Sequence, residues 1–378
     1  MTVFLPWWPA SPASSKAPEA IRARDRSLAR LEPASGAYFG VNLNWDVDTG
    51  AAFSQRVGKT AAVYVQFAAF PLGADERSYL HSFIEQVAEQ RAIALLTLEP
   101  FDGLDTVTSD SANDLAEYLA AINARDVPVL LRFAHEMNGS WYPWGQRPEQ
   151  YVRAFRLVAE AVHQRTSRTA MLWAPNYGSG YPYSGGQFVA LPGSGEFDLL
   201  DTNGDRILDM RDDPYGPYYP GDAAVDWVGM SLYHWGYEYP WGDNVVPDPE
   251  KFLGQLTGNY STPSSNERTL PDFYREYTEA HGKPMAIPET AAFYRPGRAG
   301  SHERDIKRSW IEQVFGSGVE RELPNIKLVS WFEWNKFEPE VGAIVDWRMT
   351  ADLELAGEAR DLLSARYWLS AEDVVHTS

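Results

Sequence analysis

No cysteine occurs among the 378 residues. Disulfide scaffolds, cysteine nucleophiles and thiolate metal sites are thereby excluded. The compartment is not fixed by this, because a large domain can be exported without disulfides. An apolar run long enough to span a bilayer is also missing, so no membrane partner is expected. The opening stretch "MTVFLPWWPASPASSKAPEA" has a brief apolar start broken by Pro6 and does not read as a secretory leader. The expectation is an intracellular chain, or an exported one whose leader has been removed. Basic residues are scarce: 33 Lys and Arg stand against 52 Asp and Glu, a formal net charge of −19. Such a surface repels phosphate backbones, so nucleic acid is not an expected partner.

Hydrophobic residues supply 44% of the chain, enough for a large core. Aromatics supply 13%, with 14 Trp, 20 Tyr and 17 Phe. Most read as packing. A subset beside Gly, Pro, Asn and Asp falls where loops are expected, and flat rings in loops suit the apolar C–H faces of sugars.

Residues 1–36 are rich in Pro, Ala and Ser and read as an extended arm, with a short helix around "PEAIRARDRSLARL". From residue 37 to 378, short apolar runs alternate with amphipathic stretches. Eight candidate strands are "AYFGVNL", "AAVYVQFAAF", "AIALLTLEP", "VPVLLRFAHE", "TAMLWAPN", "VDWVGMSLY", "PMAIPET" and "IKLVSWFEW". Helical patterns separate or follow them, including "ERSYLHSFIEQVAEQR", "SANDLAEYLAAINARD", "PEQYVRAFRLVAEAVHQR", "PDFYREYTEAHG", "SHERDIKRSWIEQVFG" and "ELAGEARDLLSARYWL". Continuous apolar strands between helices imply a parallel sheet covered on its outer face. Eight units predict an α/β fold, a single-domain (β/α)8 TIM barrel with enlarged loops. A doubly wound sheet would announce a Gly-rich loop after its first strand, and "GVNLNWDVDTG" is not one.

In such a barrel the functional groups gather at the C-terminal strand ends. The third strand ends in Glu99 and the fourth in His135 and Glu136, inside "RFAHEMNGSWYPWG". The fifth ends in Asn176, the sixth in Tyr233 and His234, the seventh in Glu289, and the eighth in Glu333, Trp334 and Asn335. All are expected to face one bowl. A lone Glu at a strand end is as often a structural anchor as a catalyst. Two at opposed strand ends are what glycosidic cleavage needs: one protonated, to give a proton to the leaving oxygen, and one ionised. The side chain of His135 is expected to point away from Glu136 if the strand continues, and to orient the site. Glu99 is a third carboxylate, expected to bind sugar hydroxyls.

"RFAHEMNGSWYPWG" resembles the acid/base segment of glycoside hydrolase family 26, whose best-known members are endo-β-1,4-mannanases. "YYPGDAAVDWVGMSLYHWG" resembles the family's strand-six segment and "WAPN" its strand five; the resemblance runs over roughly residues 37 to 370. It implies a retaining (β/α)8 hydrolase with Glu136 as acid/base and Glu289 as nucleophile. It further implies His135 as the histidine before the acid/base, Tyr233 as the tyrosine bonded to the nucleophile, and Trp141 and Trp334 as sugar platforms. The family's mannanases often carry Arg where this chain has Asn335, and a histidine after strand three where it reads "LEPF". These departures bear on mannose specificity and leave the reaction intact. The expected substrate is a β-linked poly- or oligosaccharide, most simply a β-mannan, cut by a monomer that needs no catalytic cofactor. Mixed-linkage β-glucanase, xylanase and exo-acting enzyme are the alternatives, and from another class a non-catalytic carbohydrate-binding barrel.

A separate signal is "DTNGDRILDMRD", residues 201–212. Asp201, Asn203, Asp205, Asp209 and Asp212, with the carbonyl of Ile207, fall at the spacing of an EF-hand calcium loop. Arg206 takes the position normally held by Gly, and position twelve is Asp rather than Glu. A structural Ca2+ is expected here, since clustered carboxylates repel one another without a cation. The bland alternative is a solvated acidic turn. A calcium-dependent interaction module has no other support in the sequence.

Overall fold

Eight parallel strands close on themselves in the computed structural model, which describes residues 27–237, 242–262 and 266–376. In chain order they are β1 (Ala37–Leu43), β2 (Val63–Ala69), β3 (Ile93–Glu99), β4 (Val129–Phe133), β5 (Thr169–Trp173), β6 (Trp227–Ser231), β7 (Met285–Thr290) and β8 (Ile326–Glu333). Each pairs with its sequence neighbour, and β8 returns to β1 in the register Tyr38↔Leu328 to Leu43↔Glu333. The (β/α)8 barrel expected from the sequence is therefore the fold.

Helices follow the strands: α1 (Gly50–Val57), α2 (Ala74–Gln90), α3 (Ser109–Asn123), α4 (Pro148–Arg165), α5 (Gly195–Leu200), α6 (Lys251–Leu256), α7 (Glu303–Phe315), α8 (Ser317–Glu322) and α9 (Leu353–Leu363). The short ones, α1, α5, α6 and α8, were not expected, because six to eight residues carry too little periodicity to stand out. The expected helix in "PDFYREYTEAHG" is a π-helical segment, Tyr274–Glu279. An antiparallel hairpin, β9 (Asn335–Glu338) and β10 (Ala343–Asp346), rises directly from the end of β8. A two-residue strand, β11 (Trp368–Leu369), pairs with the start of β1.

The strands are apolar over most of their length because both faces are covered, with polar residues such as Arg132 and Glu289 gathered toward the C-terminal ends. Tyr38, Val65, Leu95, Leu130, Leu172, Ala286 and Leu328 fill the barrel. Their neighbours Phe39, Tyr64, Leu96, Leu131, Met171, Ile287 and Val329 pack outward under the helices. The expected N-terminal helix falls largely outside the described residues. The stretch from 27 onward lies against the barrel: Trp227 Nε1 donates to the Arg30 carbonyl (2.7 Å), and an Arg30 guanidinium nitrogen donates to those of Thr166 (2.8 Å) and Thr169 (3.3 Å). Trp227 and Thr169 begin β6 and β5, so this segment braces the end opposite the candidate site. No helix among the described residues is long and apolar enough to cross a membrane.

Candidate active site

β4 ends at Phe133, three residues before Glu136. Ala134 and Glu136 then take positive φ values of 47° and 53°, so the alternation of side chains is lost. This corrects the expected orientation of His135. One atom each of His135, Glu136 and Glu289 lie within 4.8 Å of one another, so the histidine turns toward the two acids. The backbone N–H of Glu136 donates to the Ala174 carbonyl (3.0 Å), tying this irregular turn to the end of β5.

Glu289 sits in β7 and is largely buried. Its carboxylate accepts from the phenol of Tyr233 (3.0 Å) and from the guanidinium of Arg132. Burial and the adjacent Glu289 carboxylate raise the Tyr233 phenol well above its ordinary value, which keeps it a donor. Arg132 also donates to Ser231 Oγ (2.5 Å). Arg132 is fully buried in the middle of "VLLRF" and was not singled out from the sequence. A signal was present: an arginine inside an apolar strand is almost never buried unpaired.

Glu136 is placed differently. It accepts from Trp141 Nε1 (3.1 Å) and is half open to the mouth. Burial, then repulsion from Glu289, raises its carboxyl from the usual 4.5 to about 7, against the opposing pull of Arg132. Glu99, the last residue of β3, is raised from 4.5 to about 7 by burial and then by Glu289, with Arg132 opposing. Burial, then Arg132, lowers His135 well below the usual imidazole range, so it is neutral. The barrel mouth thus holds three carboxyl groups in the field of one arginine. The two raised ones keep protons near neutrality.

Trp141 is 38% exposed, and its ring meets Tyr183 edge-on at 4.9 Å. Gly139 permits this fold-back: a Cβ there would lie 2.4 Å from the Trp141 ring. Tyr142 stacks on Trp144 at 4.3 Å, and Trp144 is wholly buried with its Nε1 on the His135 carbonyl (2.7 Å). Trp144 is therefore a buttress for the turn, and Trp141 the ring that can meet a ligand. Trp334 stacks on Phe332 (5.7 Å, 8°) and donates to Asn42 Oδ1 (3.2 Å), leaving it half-buried at the end of β8. Asn176 exchanges two hydrogen bonds of 2.8 Å with Asn138, joining the turns after β4 and β5.

Two strand-end groups expected in the bowl lie elsewhere. His234 is buried, with Nε2 on the Val245 carbonyl (2.8 Å) and Lys251 Nζ 3.2 Å from Nδ1. Glu333 accepts from the backbone N–H groups of Met349 (2.8 Å) and Thr350 (3.1 Å). Both anchor the loops around them. Neighbouring residues on an extended chain point to opposite sides, so Tyr233 and Trp334 face in while His234 and Glu333 face out.

In the 201–212 loop, Asp201 Oδ1 and Asn203 Oδ1 both accept from the Asp205 N–H (3.1 and 2.9 Å). Asp201 Oδ2 accepts from Arg206 (2.8 Å) and Asp205 Oδ1 from Ile207 (2.9 Å). Arg206 takes φ 67°, the left-handed conformation that Gly would provide. Asp212 accepts from the N–H groups of Asn203 (3.2 Å) and Asp209 (3.0 Å). Arg211 reaches Asp205 (3.0 Å) and Asp209 (2.7 Å), and it lowers the Asp209 carboxyl. The first half of the loop turns its oxygens inward. The second half has a cation of its own in Arg211. Among the described residues the convergent acidic and histidine side chains are those of the barrel mouth, not this loop.

Residues 83–197 match the family model described as "Glycosyl hydrolase family 26", a segment that holds Glu99, Arg132, His135, Glu136, Trp141 and Asn176. The chain is 23% identical over 305 residues to endoglucanase H of Acetivibrio thermocellus, covering 76% of this chain and 26% of that protein. It is 23% identical over 203 residues to the β-1,3-xylanase TXYA of a Vibrio species, covering 51% of this chain and 37% of the other. The chain therefore spans only about a quarter of the length of the first relative and 37% of the second. Similar solved structures include GH26C of a Muricauda species, with a TM-score of 0.55 at 13% identity, over 90% of this chain and 88% of that one. Another is the catalytic domain of a Bacillus GH26 endo-β-1,4-mannanase, with a TM-score of 0.53 at 16% identity, over 89% and 88%. At these identities the structural matches speak for the fold alone, while the sequence match falls on the turn that carries Glu136. The family 26 match is thus carried by residues 83–197, and the barrel around them has the fold of the solved GH26 structures.

Proposed function

We propose that the protein is a retaining endo-glycosidase that cleaves a β-linked polysaccharide by double displacement, with Glu289 as nucleophile and Glu136 as acid/base. The observation that carries this reading is the approach of oxygens of Glu136 and Glu289 to within 4.8 Å, in unlike environments. A retaining pair needs a separation of about 5 to 5.5 Å, whereas an inverting pair leaves roughly 6.5 to 9.5 Å for a water. In the first step Glu289 attacks the anomeric carbon as the glycosidic C–O bond breaks, and Glu136 gives its proton to the departing oxygen. In the second, Glu136 takes a proton from water, the water oxygen bonds to the anomeric carbon, and Glu289 leaves. The roles follow from surroundings: Arg132 and Tyr233 both donate to Glu289, while burial and a neighbouring carboxylate keep the proton on Glu136.

His135 holds the turn, Trp141 and Trp334 offer faces to sugar rings, and Glu99 and Asn176 supply hydroxyl contacts. A β-1,4-mannan is the simplest substrate, given the mannanase among the fold neighbours. Endoglucanase and β-1,3-xylanase are the activities named for the curated relatives, and Glu99 at the mouth makes a β-glucan or xylan the second reading. Hydrolysis of a mannan, glucan and xylan panel, followed by NMR of the first product's anomeric configuration, tests both readings. Inverted product, or no hydrolysis of any member, overturns the proposal. A structural Ca2+ in the 201–212 loop belongs to the same proposal. The left-handed turn at Arg206 and the wrapping of Asp201, Asn203 and Asp205 around the loop backbone support it; the Ile207 carbonyl, Asp209 and Asp212 are the other expected ligands, and Asp205 and Asp209 would have to release Arg211. It would brace the loop and take no part in the reaction.

A further inference from the structure

Lys251, the first residue of α6, is buried, with 4% of its surface exposed. A lysine is almost never buried without partners, so each of its donors needs an account. The ammonium donates to His234 Nδ1 (3.2 Å) and to the Gly236 carbonyl (2.9 Å). It also lies over the rings of Tyr260 (5.4 Å) and Tyr237 (5.8 Å). Both phenols donate to Asp248, at 2.9 and 3.0 Å, so a carboxylate stands behind the two rings that face the cation. Burial lowers the ammonium to about 8, with Glu267 and Asp248 opposing, so it is charged at neutral pH.

This arrangement fixes the ring of His234 from both sides. An ammonium has no lone pair to offer, so Nδ1 is the acceptor. The proton is then on Nε2, which donates to the Val245 carbonyl (2.8 Å), a group that can only accept. Burial, then Lys251, lowers His234 to about 3, so the ring stays neutral and keeps this tautomer.

The held ring adjoins Glu289 by two routes. β6 ends at Ser231, and the chain runs on beside the segment that follows Glu289. The N–H of Leu232 donates to the Glu289 carbonyl (3.0 Å), that of His234 to Ala291 (2.9 Å), and that of Phe293 to the His234 carbonyl (2.8 Å). Tyr233 lies between the first two of these bonds, and its side chain points the other way, into the bowl, where the phenol donates to Glu289 (3.0 Å). His234 also packs on Trp310 (ring centroids 5.9 Å), whose Nε1 donates to Thr290 Oγ1 (2.9 Å), next to Glu289 in the chain. Fixing the His234 ring outside the bowl therefore fixes the backbone from which the Tyr233 phenol reaches in.

We propose that Lys251 is a positioning residue, which through the His234 ring holds Tyr233 on Glu289 in the geometry that double displacement requires. The inference rests on the glycosidase reading for the step it serves. Lys251 and His234 act from outside the bowl and do not meet the substrate.

A double-mutant cycle of Lys251→Met and Tyr233→Phe tests it, read by urea unfolding and by kcat and KM on a short aryl glycoside. Lys251→Met alone is expected to lower kcat about tenfold or more and to change KM less than about twofold, since the bond it supports acts on the nucleophile and not on substrate binding. With Tyr233→Phe already in place, Lys251→Met should lower kcat less than about twofold further, because the hydroxyl it positions is gone. In urea the two substitutions should likewise be non-additive. An unchanged kcat in folded Lys251→Met overturns the proposal, as do additive effects in either readout, because the lysine then only fills space. A wild type that hydrolyses nothing, with the urea coupling intact, removes the glycosidase reading and leaves Lys251 holding Tyr233. Additive urea effects in an inactive protein remove both. If Lys251→Met does not fold, His234→Phe, which keeps the ring on Trp310 and loses both hydrogen bonds, takes its place in the cycle with the same expected outcomes. Nitrogen NMR of the histidine-labelled wild type checks the link without any substitution at Lys251: His234 should carry its proton on Nε2 at neutral pH, and a ring protonated on Nδ1 overturns the proposal.

Discussion

Arg132 in β4 and Glu289 in β7 are 157 residues apart in sequence and form an ion pair at the mouth of the barrel. The arginine side chain is fully buried, so the pair has almost no screening by water. Removing one partner strands the other. Arg132→Met is expected to lower stability by about 3–5 kcal/mol and to abolish turnover. Glu289→Gln in the same background should recover part of the lost stability but none of the activity. Urea titrations of both single variants and the double variant measure this coupling. Purely additive effects would sever the link between the two residues.

The two acids should fail in different ways. Glu289→Ala is expected to lose turnover on every substrate, because no glycosyl–enzyme bond can form. Glu136→Ala should still release an activated aryl group, which needs no proton, and then stall; added azide should rescue it as a glycosyl azide. Both should still bind oligosaccharide. Pre-steady-state release of the aryl group reads out the difference, and identical behaviour of the two variants contradicts the assignment.

Glu99 and Glu136 make the protein's stability depend on pH in a stated direction. Each carboxyl is raised from 4.5 toward about 7 in the folded state. A raised carboxyl binds its proton more tightly folded than unfolded. Its contribution is therefore fully present below about pH 4.5 and lost as pH rises to about 7. Glu99→Gln, which cannot ionise, should gain stability relative to wild type across that window, as seen by thermal melts at successive pH values. A difference that does not change with pH denies the raised proton affinity. Activity should follow Glu136, falling as pH rises through about 7, because the general acid loses its proton.

Calcium in the 201–212 loop is checked by removal. Melting after thorough chelation and again with Ca2+ restored should show a rise on adding the ion, since an ion that binds only the folded state stabilises by mass action. Hydrolysis of a short substrate should be unchanged at temperatures well below the melt. If Arg211 alone balances Asp205 and Asp209, the two melts will coincide, and Arg211→Ala will be the variant that destabilises the loop.

The sequence by itself determined the barrel and the two acids of its candidate site. Strands buried on both faces must be apolar along their length, so eight such runs stood out. Ionisable residues at the ends of "VPVLLRFAHE" and "PMAIPET" had no reason to be there for packing. Tertiary structure decided what a linear pattern cannot carry. The direction of His135 depends on where β4 stops, and two positive-φ residues after Phe133 overturn the expected alternation. The partner of Glu289 depends on which strand ends converge, and Arg132 is invisible as a partner until β4 and β7 share one mouth. His234 and Glu333 differ from Tyr233 and Trp334 by a single position each, and one residue on an extended chain separates a group inside the bowl from an anchor outside it.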